Sequence, residues 1–380
     1  MQPLDGYLVL DFSTLVPGPI ATLFLAEAGA EVIKIERRND GDDMRKYQPR
    51  WGDDSVNFAL LNRGKKSIAV DLKDAKDKTR LDPLIRRADI LVEQFRPGVM
   101  DRLGLGYAEL SAINPKLIYC SITGYGQNGP KRQAAGHDLN YMGDTGLLAL
   151  SMGDSAAPVV PPALIGDIAG GSYPAVLNIL LALEARRKTG CGQWLDIAMA
   201  DNLFPFMYWA LGNGLAAGQW PGNGTDFATG GSPRYRLYGT RDGHVLAAAP
   251  MEQKFWEVFC ETIGLDEDQR NDHLNPSVTI QKITEIIRSQ DADVWRTRFE
   301  NVDCCCSVVV DVQAALRDPH FKARNLFEYQ VSNRNAATIP ALPVPIDRSF
   351  RGPVAEVLSA PKLGGHNDIL SDSSETLRNE

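Results

Sequence analysis

Across its first 125 residues the chain alternates short, almost wholly apolar runs with helix-length segments, and few folds accommodate that order. The runs "GYLVLDF" (6–12), "AEVIKIE" (30–36), "SIAVDL" (67–72), "DILVEQF" (89–95) and "LIYCSITGYG" (117–126) read as strands. Between the first two, "IATLFLAEAGA" (20–30) reads as a helix closed by Gly29. Strands that are apolar on both faces belong in a parallel sheet covered by helices on either side. Further on, "IAGGSYPAVLNILLALEARRKTG" (168–190) is a long helix with a basic last turn and Gly190 as its cap. "QWLDIAMAD" (193–201) supplies another strand.

The texture then changes. Residues 211–232 are rich in glycine and read as a linker. "RYRLYGTRDGHVLAAAP" (234–250) is a hairpin about Arg241-Asp242-Gly243, followed by helical patterns at 252–264, 279–289 and 292–300. A chain of 380 residues is too long for one ordinary core. The expected fold is therefore α/β, a doubly wound large domain at 1–210, completed by 330–380, with the linker at 211–232. A smaller α+β domain is expected at 225–325, before a return marked by Pro340, Pro343, Pro345 and Pro353.

Composition narrows the partners. Hydrophobic residues make up 44% and charged residues 23%, as in soluble globular proteins. A net charge of −8 argues against nucleic acid, while anionic small molecules answer to local fields. The start, "MQPLDGYLVLDF", has no signal-peptide pattern. The apolar run "AVLNILLAL" (175–183) is shorter than the roughly 18 residues a bilayer span needs. A cytoplasmic protein with no membrane partner is expected. The six cysteines, three of them consecutive (Cys304, Cys305, Cys306), fit reduced thiols; there is no C-x-x-C and no metal-ligand spacing, so no metal is expected.

In doubly wound sheets ligands bind at the carboxyl ends of the strands. The first strand here runs into "DFSTLVPGPIAT", which is not G-x-G-x-x-G, and nicotinamide-dependent oxidoreduction is disfavoured accordingly. The segment still opens a helix, whose first N–H groups could receive an anion. Arg37, Arg38, Lys73, Arg96 and Arg102 follow strand ends, and together they suggest a polyphosphate ligand; singly each reads as a solvated charge.

The segments "PLDGYLVLDFS…GPIATLFLAEAGAEVIKIER", "NRGKKSIAVDLK", "ADILVEQFRPGVMDRLGLGYAELSAINPKLIYCSITGYGQNGP", "GHDLNY", "LIGDIAGGS" and "ALEARRKTGCGQWLDIAMAD" carry a resemblance. With "DPHFKARNLF" and "PKLGGHNDIL" in the same order, the chain resembles the CaiB/BaiF family, the class III CoA-transferase superfamily that includes the α-methylacyl-CoA racemases. The resemblance implies a Rossmann-like large domain, a small domain and an interlocked homodimer. It also implies coenzyme A as part of the substrate rather than as a permanently bound cofactor. CoA contacts carried over from the family fall on Val16, Pro17, Arg37, Val70, Asp71, Leu72, Lys73, Gln94, Phe95, Arg96, Arg102, Ala134, Ala135, Gly136 and His137.

The chemistry turns on three residues. Asp167 lies 30 residues after His137, and an Asp before a helix can simply be its N-cap. By family position it is instead the carboxylate shared by both branches: nucleophile in a CoA-transferase, acid or base in a racemase. His137, in "GHD", matches the racemases; on its own it reads as structural. Glu252, 85 residues after Asp167, reads as a first-turn Glu favourable by the helix dipole, or as the racemase glutamate that assists the histidine. Against the racemase pattern, "TDFATGGSPRY" lacks the expected Asn and Asp, with Asp226 out of register. The expected reaction is proton transfer at C2 of an acyl-CoA thioester. The alternative is CoA transfer to an acceptor carboxylic acid through an aspartyl-CoA intermediate on Asp167. A silent subunit is disfavoured by the presence of all three residues. Phe204, Phe206, Tyr208 and Trp209 read as packing residues of the following helix.

Overall fold

The computed structural model describes residues 1–154 and 156–371. Its first sheet holds six parallel strands: β1 (Leu8–Asp11), β2 (Glu31–Arg37), β3 (Lys66–Val70), β4 (Ile90–Glu93), β5 (Ile118–Thr123) and β6 (Trp194–Ala198). The order is β3–β2–β1–β4–β5–β6, so the winding reverses between β1 and β4. That is the Rossmann-like arrangement, with its ligand crevice at the reversal. The strands form here because their side chains are buried on both faces: every residue of β1, β4 and β5 is buried. Leu10, Ile33, Ile68 and Leu91 meet in one core with Leu81 and Leu84 from a covering helix.

Helix α1 (Pro17–Glu27) follows β1 and is buried along nearly its whole length. Gly29, at φ +106°, turns the chain into β2 with a backbone that a side chain would strain. The helix α2 (Val56–Asn62) is capped by Ser55, and α3 (Asp138–Asp144) follows the loop after β5. The long helix α4 (Tyr173–Thr189) ends at Gly190, in the left-handed region at φ +76°, with Arg186, Arg187 and Lys188 in its last turn. α4 is preceded by a short turn, Ile165–Asp167, and a π-helical turn, Ile168–Ser172. Counted together, Ile165–Thr189 spans 25 residues and is long and apolar enough to cross a bilayer by length and composition, contrary to the sequence expectation. The difference arises because the helix begins ten residues before its most apolar run. Here that helix packs against β5 and β6 through Ala175, Ile179, Ala182 and Leu183, all buried.

The chain separates into two units, with boundaries that differ from the sequence reading. The first comprises Met1–Thr145, Ala163–Pro205 and the chain from Lys322 onward; the second comprises Gly146–Pro162 and Phe206–Phe321. The stretch read as a linker at 211–232 is not one. Tyr208–Ala217 is helical and Phe227–Thr229 is a 3-10 turn, both inside the second unit. Two of its glycines serve close packing instead: a Cβ on Gly214 would sit 2.2 Å from the Trp220 ring, and one on Gly231 would sit 2.3 Å from the Thr225 backbone. Phe206 and Tyr208, read as packing residues, are exposed, as is Phe204 in the first unit.

The second unit has an antiparallel sheet of β7 (Arg236–Gly239), β8 (Val245–Ala248) and β9 (Cys306–Val308). It packs with α5 (Gln253–Ile263), α6 (Pro276–Arg288) and α7 (Ala292–Phe299) around Trp256, Phe259 and Trp295, each fully buried. Buried large side chains of this kind contribute about 1.5–3 kcal/mol each. In the first unit the return segment adds β10 (Gln330–Ser332), β11 (Thr338–Pro340) and β12 (Leu358–Ser359), whose Val331 packs on Phe58 of α2.

Candidate active site

At the reversal point of the first sheet a cavity of about 420 Å³ opens at the carboxyl ends of the strands. Leu15 and Pro17 line it after β1, Gln94 to Pro97 after β4, Thr123 to Tyr125 after β5, and Met199 after β6. Its remaining wall is Ile122, Arg132, Ala134 to His137, Asn140, Tyr141 and Asp167. The two residues singled out for chemistry in this unit, His137 and Asp167, therefore face one cleft.

The loop after β1 is held from beneath by buried charges. Lys34, which is fully buried, donates to the Ser13 carbonyl at 2.7 Å and pairs with Asp42 at 3.0 Å. Asp42 in turn accepts the Leu15 N–H at 3.2 Å, fixing Leu15 in a left-handed conformation at φ +62°. Asp11, at the end of β1, pairs with Lys65 at 3.2 Å and accepts the Thr22 hydroxyl at 2.7 Å. Burial would raise the Asp11 carboxyl, yet Lys34 and Lys65 hold it well below the ordinary range. Burial also lowers Lys65 to about 8.

The start of α1 corrects one expectation. Pro17 and Pro19 have no N–H, the Gly18 N–H donates to Gln94 Oε1 at 3.1 Å, and the Ile20 N–H donates to the Val16 carbonyl at 3.0 Å. No N–H of that first turn is left for an anion, because proline removes two donors and a side chain takes the third.

Asp167 ends the short turn before the π-helical segment, and its side chain caps neither. Its backbone N–H donates to Asp138 Oδ1 at 2.9 Å, and Asp138 is buried as the first residue of α3. Burial, and then the Asp138 charge, push the Asp167 carboxyl up to about 6, with His137 acting in the opposite direction. The turn can sit this close only through glycine. A Cβ on Gly170 would lie 2.4 Å from the Met199 carbonyl oxygen, and one on Gly171 would lie 3.0 Å from Pro17. Ser172 ties the turn to α1 by donating to the Pro17 carbonyl at 2.8 Å.

His137 is exposed and immediately precedes α3; its N–H donates to Asn140 Oδ1 at 3.0 Å. Tyr141, from the same helix, donates to the Gly136 carbonyl at 2.6 Å and stacks edge-on with Tyr125 at 5.3 Å. A side chain on Gly124 or Gly136 would collide with the Tyr141 ring, at 2.5 and 2.7 Å. Tyr125, Tyr141, Arg132 and Asn140 line the cleft and were not singled out from sequence. The Gly-Tyr-Gly turn at 124–126 carried the signal for Tyr125, as glycines flanking an aromatic mark a close approach.

Of the carried-over ligand contacts, Pro17, Gln94, Phe95, Arg96, Ala134, Ala135, Gly136 and His137 line the cleft. Val16, Arg37, Val70, Asp71, Leu72, Lys73 and Arg102 do not. Arg37, at the end of β2, pairs with Asp43 at 2.6 Å. Val70 is buried at the end of β3, Asp71 accepts the Lys73 N–H at 2.9 Å, and Lys73 is exposed. Leu72 packs on the main core and Val16 on the core beside α2. Arg102 ends a short helix, Val99–Arg102.

In the second unit Glu252 stands exposed at the head of α5, and its carboxylate makes no capping bond to the helix. Buried Arg234 fixes its neighbours, donating to the Met251 carbonyl at 3.2 Å and to Gln253 Oε1 at 2.8 Å while paired with Asp272 at 2.8 Å. Asp226 is committed to the Phe227–Thr229 turn, accepting the Phe227 N–H at 2.7 Å. Among the described residues no His/Cys/Asp/Glu group has the arrangement of a metal site.

The profile of CoA-transferase family III matches residues 4–367, and the chain belongs to that family. It is 32% identical over 354 residues to the α-methylacyl-CoA racemase of Homo sapiens, covering 90% of this chain and 88% of that one. It is 33% identical over 340 residues to the acetyl-CoA:oxalate CoA-transferase of Acetobacter aceti, covering 85% of each. The fold matches a CAIB/BAIF family protein from Brucella suis with a TM-score of 0.80 at 27% identity, over 98% of this chain and 99% of that one. The family is one of enzymes, and both racemases and CoA-transferases are among the relatives.

Proposed function

We propose that the protein moves a proton at C2 of an acyl-CoA thioester, as a racemase or epimerase of its family. The observation that carries this reading is the joint presence of His137 and Asp167 in one cleft, with the Asp167 carboxyl uncapped and titrating near pH 6. Such a carboxyl exchanges protons readily near neutrality, where a general acid or base works best. One residue removes the C2 proton to leave an enolate, and the other returns a proton from the opposite face. Glu252 is, by family position, the third catalytic residue. The CoA moiety, part of the substrate and not a resident cofactor, runs from the cleft along the strand ends. Arg96 and the segment Ala134 to His137 hold the thioester end. Arg37, Lys73 and Arg102 serve its phosphates, with Val16, Val70, Asp71 and Leu72 as backbone and apolar wall. The working form is a cytoplasmic homodimer.

A second reading is supported by the transferase relatives and by the departure at "TDFATGGSPRY". There Asp167 attacks the thioester carbonyl and the C–S bond breaks, giving a mixed anhydride and CoA thiolate. The thiolate then attacks the aspartyl carbonyl and the donor carboxylate leaves, and an acceptor carboxylate takes the CoA by the same two steps in reverse. One experiment separates the two. In D₂O without any acceptor acid, the protein incorporates deuterium at C2 of an acyl-CoA, and His137→Ala lowers that exchange by at least about 10²-fold. An absence of exchange, with hydroxylamine converting the acyl-CoA-activated Asp167 carbonyl to a hydroxamate and His137→Ala still active, establishes the transferase instead.

A further inference from the structure

Arg96 borders two cavities. One is the main cleft; the other, of about 220 Å³, lies beside it and shares the Arg96–Pro97 wall. The side cavity holds Glu93, the last residue of β4, which is 4% exposed. Glu93 Oε2 accepts the Phe95 N–H at 2.8 Å, so this carboxyl anchors the first residues of the segment that carries Arg96. Ser121, from β5, bonds Glu93 by its hydroxyl and accepts the Trp194 indole N–H at 2.9 Å. Arg96 is exposed, makes no ion pair among the described residues, and is the one cation of the side cavity's wall.

We propose that Glu93 is a positioning residue that competes with the ligand of the main cleft for Arg96. Protonated, Glu93 leaves the guanidinium to the cleft; ionised, it draws Arg96 into the side cavity. The inference rests on reading the main cleft as a CoA-ester site. The surroundings permit the change of charge near neutral pH. Burial raises Glu93 to about 7 against the Ser121 and Phe95 bonds, and Asp101 and Asp196 act in the same direction as burial. The other titratable groups facing it are Tyr119 and Cys120, both themselves raised, and Tyr107 in the cavity wall. With no second cation there, an ionised Glu93 has only Arg96 to pair with, and a buried carboxylate has strong need of such a partner.

The test is calorimetry with CoA itself at pH 6 and pH 8 on the full chain. The affinity of the wild type falls about ten-fold more over that interval than the affinity of Glu93→Gln, the scale of one charge-assisted hydrogen bond. The phosphates of CoA titrate alike for every variant, so the difference isolates Glu93. Gln keeps a carbonyl acceptor for the Phe95 N–H, and circular dichroism checks its fold. Arg96→Gln binds weakly and shows no excess fall, a comparison that stands even if Glu93→Gln is unstable. A wild type that binds CoA with the profile of Glu93→Gln overturns the role of Glu93 alone, as does an Arg96→Gln that keeps the full fall. A wild type that binds no CoA at either pH overturns the CoA reading of the cleft.

Discussion

A carboxyl that keeps its proton to about pH 6 in the folded chain, and to about 3.8 when solvated, makes the native state bind more protons than the unfolded one between those values. Stability therefore falls as pH rises through that window, and the penalty persists above it. For Asp167, half-buried beside Asp138, Asp167→Asn should relieve the penalty, stabilising the protein by about 1–2 kcal/mol at pH 7.5 after allowance for partial exposure. Thermal melts at pH 4 should show almost none of that gain; an equal gain at both pH values would mean the effect is not the carboxyl's charge. The residues that mattered were unevenly legible in the sequence. His137 and Asp167 stood out by motif. Lys34 sits inside "AEVIKIE" and looks like a solvent-facing residue of a strand, yet it is fully buried. Its partners Ser13 and Asp42 lie in separate loops, and Lys65 reaches Asp11 from 54 residues away. No local pattern announces a contact of that kind.

At the scale of the element, the inner strands were readable because burial on both faces writes continuous apolar runs, while β6, at the sheet edge, alternates exposed and buried residues. All six observed bounds lie within a few residues of those expected. Helix ends were harder. The anion-receptive character expected of α1 fails because of a Gln94 side chain that arrives from another strand end. The π-helical turn at Ile168–Ser172 was legible only as a pair of glycines. It gives the sharpest structural prediction. Gly170→Ala sets a methyl 2.4 Å from the Met199 carbonyl oxygen, a backbone atom that cannot swing aside. The expected cost is about 2–3 kcal/mol, read as a lower denaturation midpoint, with loss of turnover as Asp167 shifts. A variant with wild-type midpoint and activity would show that the turn is slack. Gly212, with open space around it, is the matched control.

For the whole molecule, α4 presents Tyr173, Leu177, Leu180 and Leu181 to solvent at 45%, 59%, 45% and 60% exposure, while its opposite face packs on the sheet. Their spacing places them on one face, and an apolar stripe of this kind marks an interaction surface. If the proposed homodimer uses it, Leu177→Glu combined with Leu181→Glu should shift sedimentation from dimer to monomer at micromolar concentration. A double variant that stays dimeric places the interface elsewhere. The two-unit division was legible in outline from length and the change of texture. Its boundaries were not, because a glycine that packs a helix against Trp220, as Gly214 does, looks the same in one dimension as a glycine that frees a linker.

The pairing of Glu27 also has a meaning in time. Its carboxylate, 6% exposed, bonds Arg63 at 2.7 Å and Arg351 at 2.6 Å, the latter 324 residues further along the chain. On the ribosome the last strand of the parallel sheet has emerged once residue 198 is clear, and Arg351 follows only after the second unit has been synthesised. At about 5–20 residues per second, the nascent sheet waits of order ten to thirty seconds with a buried acid holding one guanidinium instead of two. Arg351 is thus a latch that only a chain synthesised past this residue can close. A chain that ends before Arg351 leaves the Glu27 carboxylate with the Arg63 guanidinium alone.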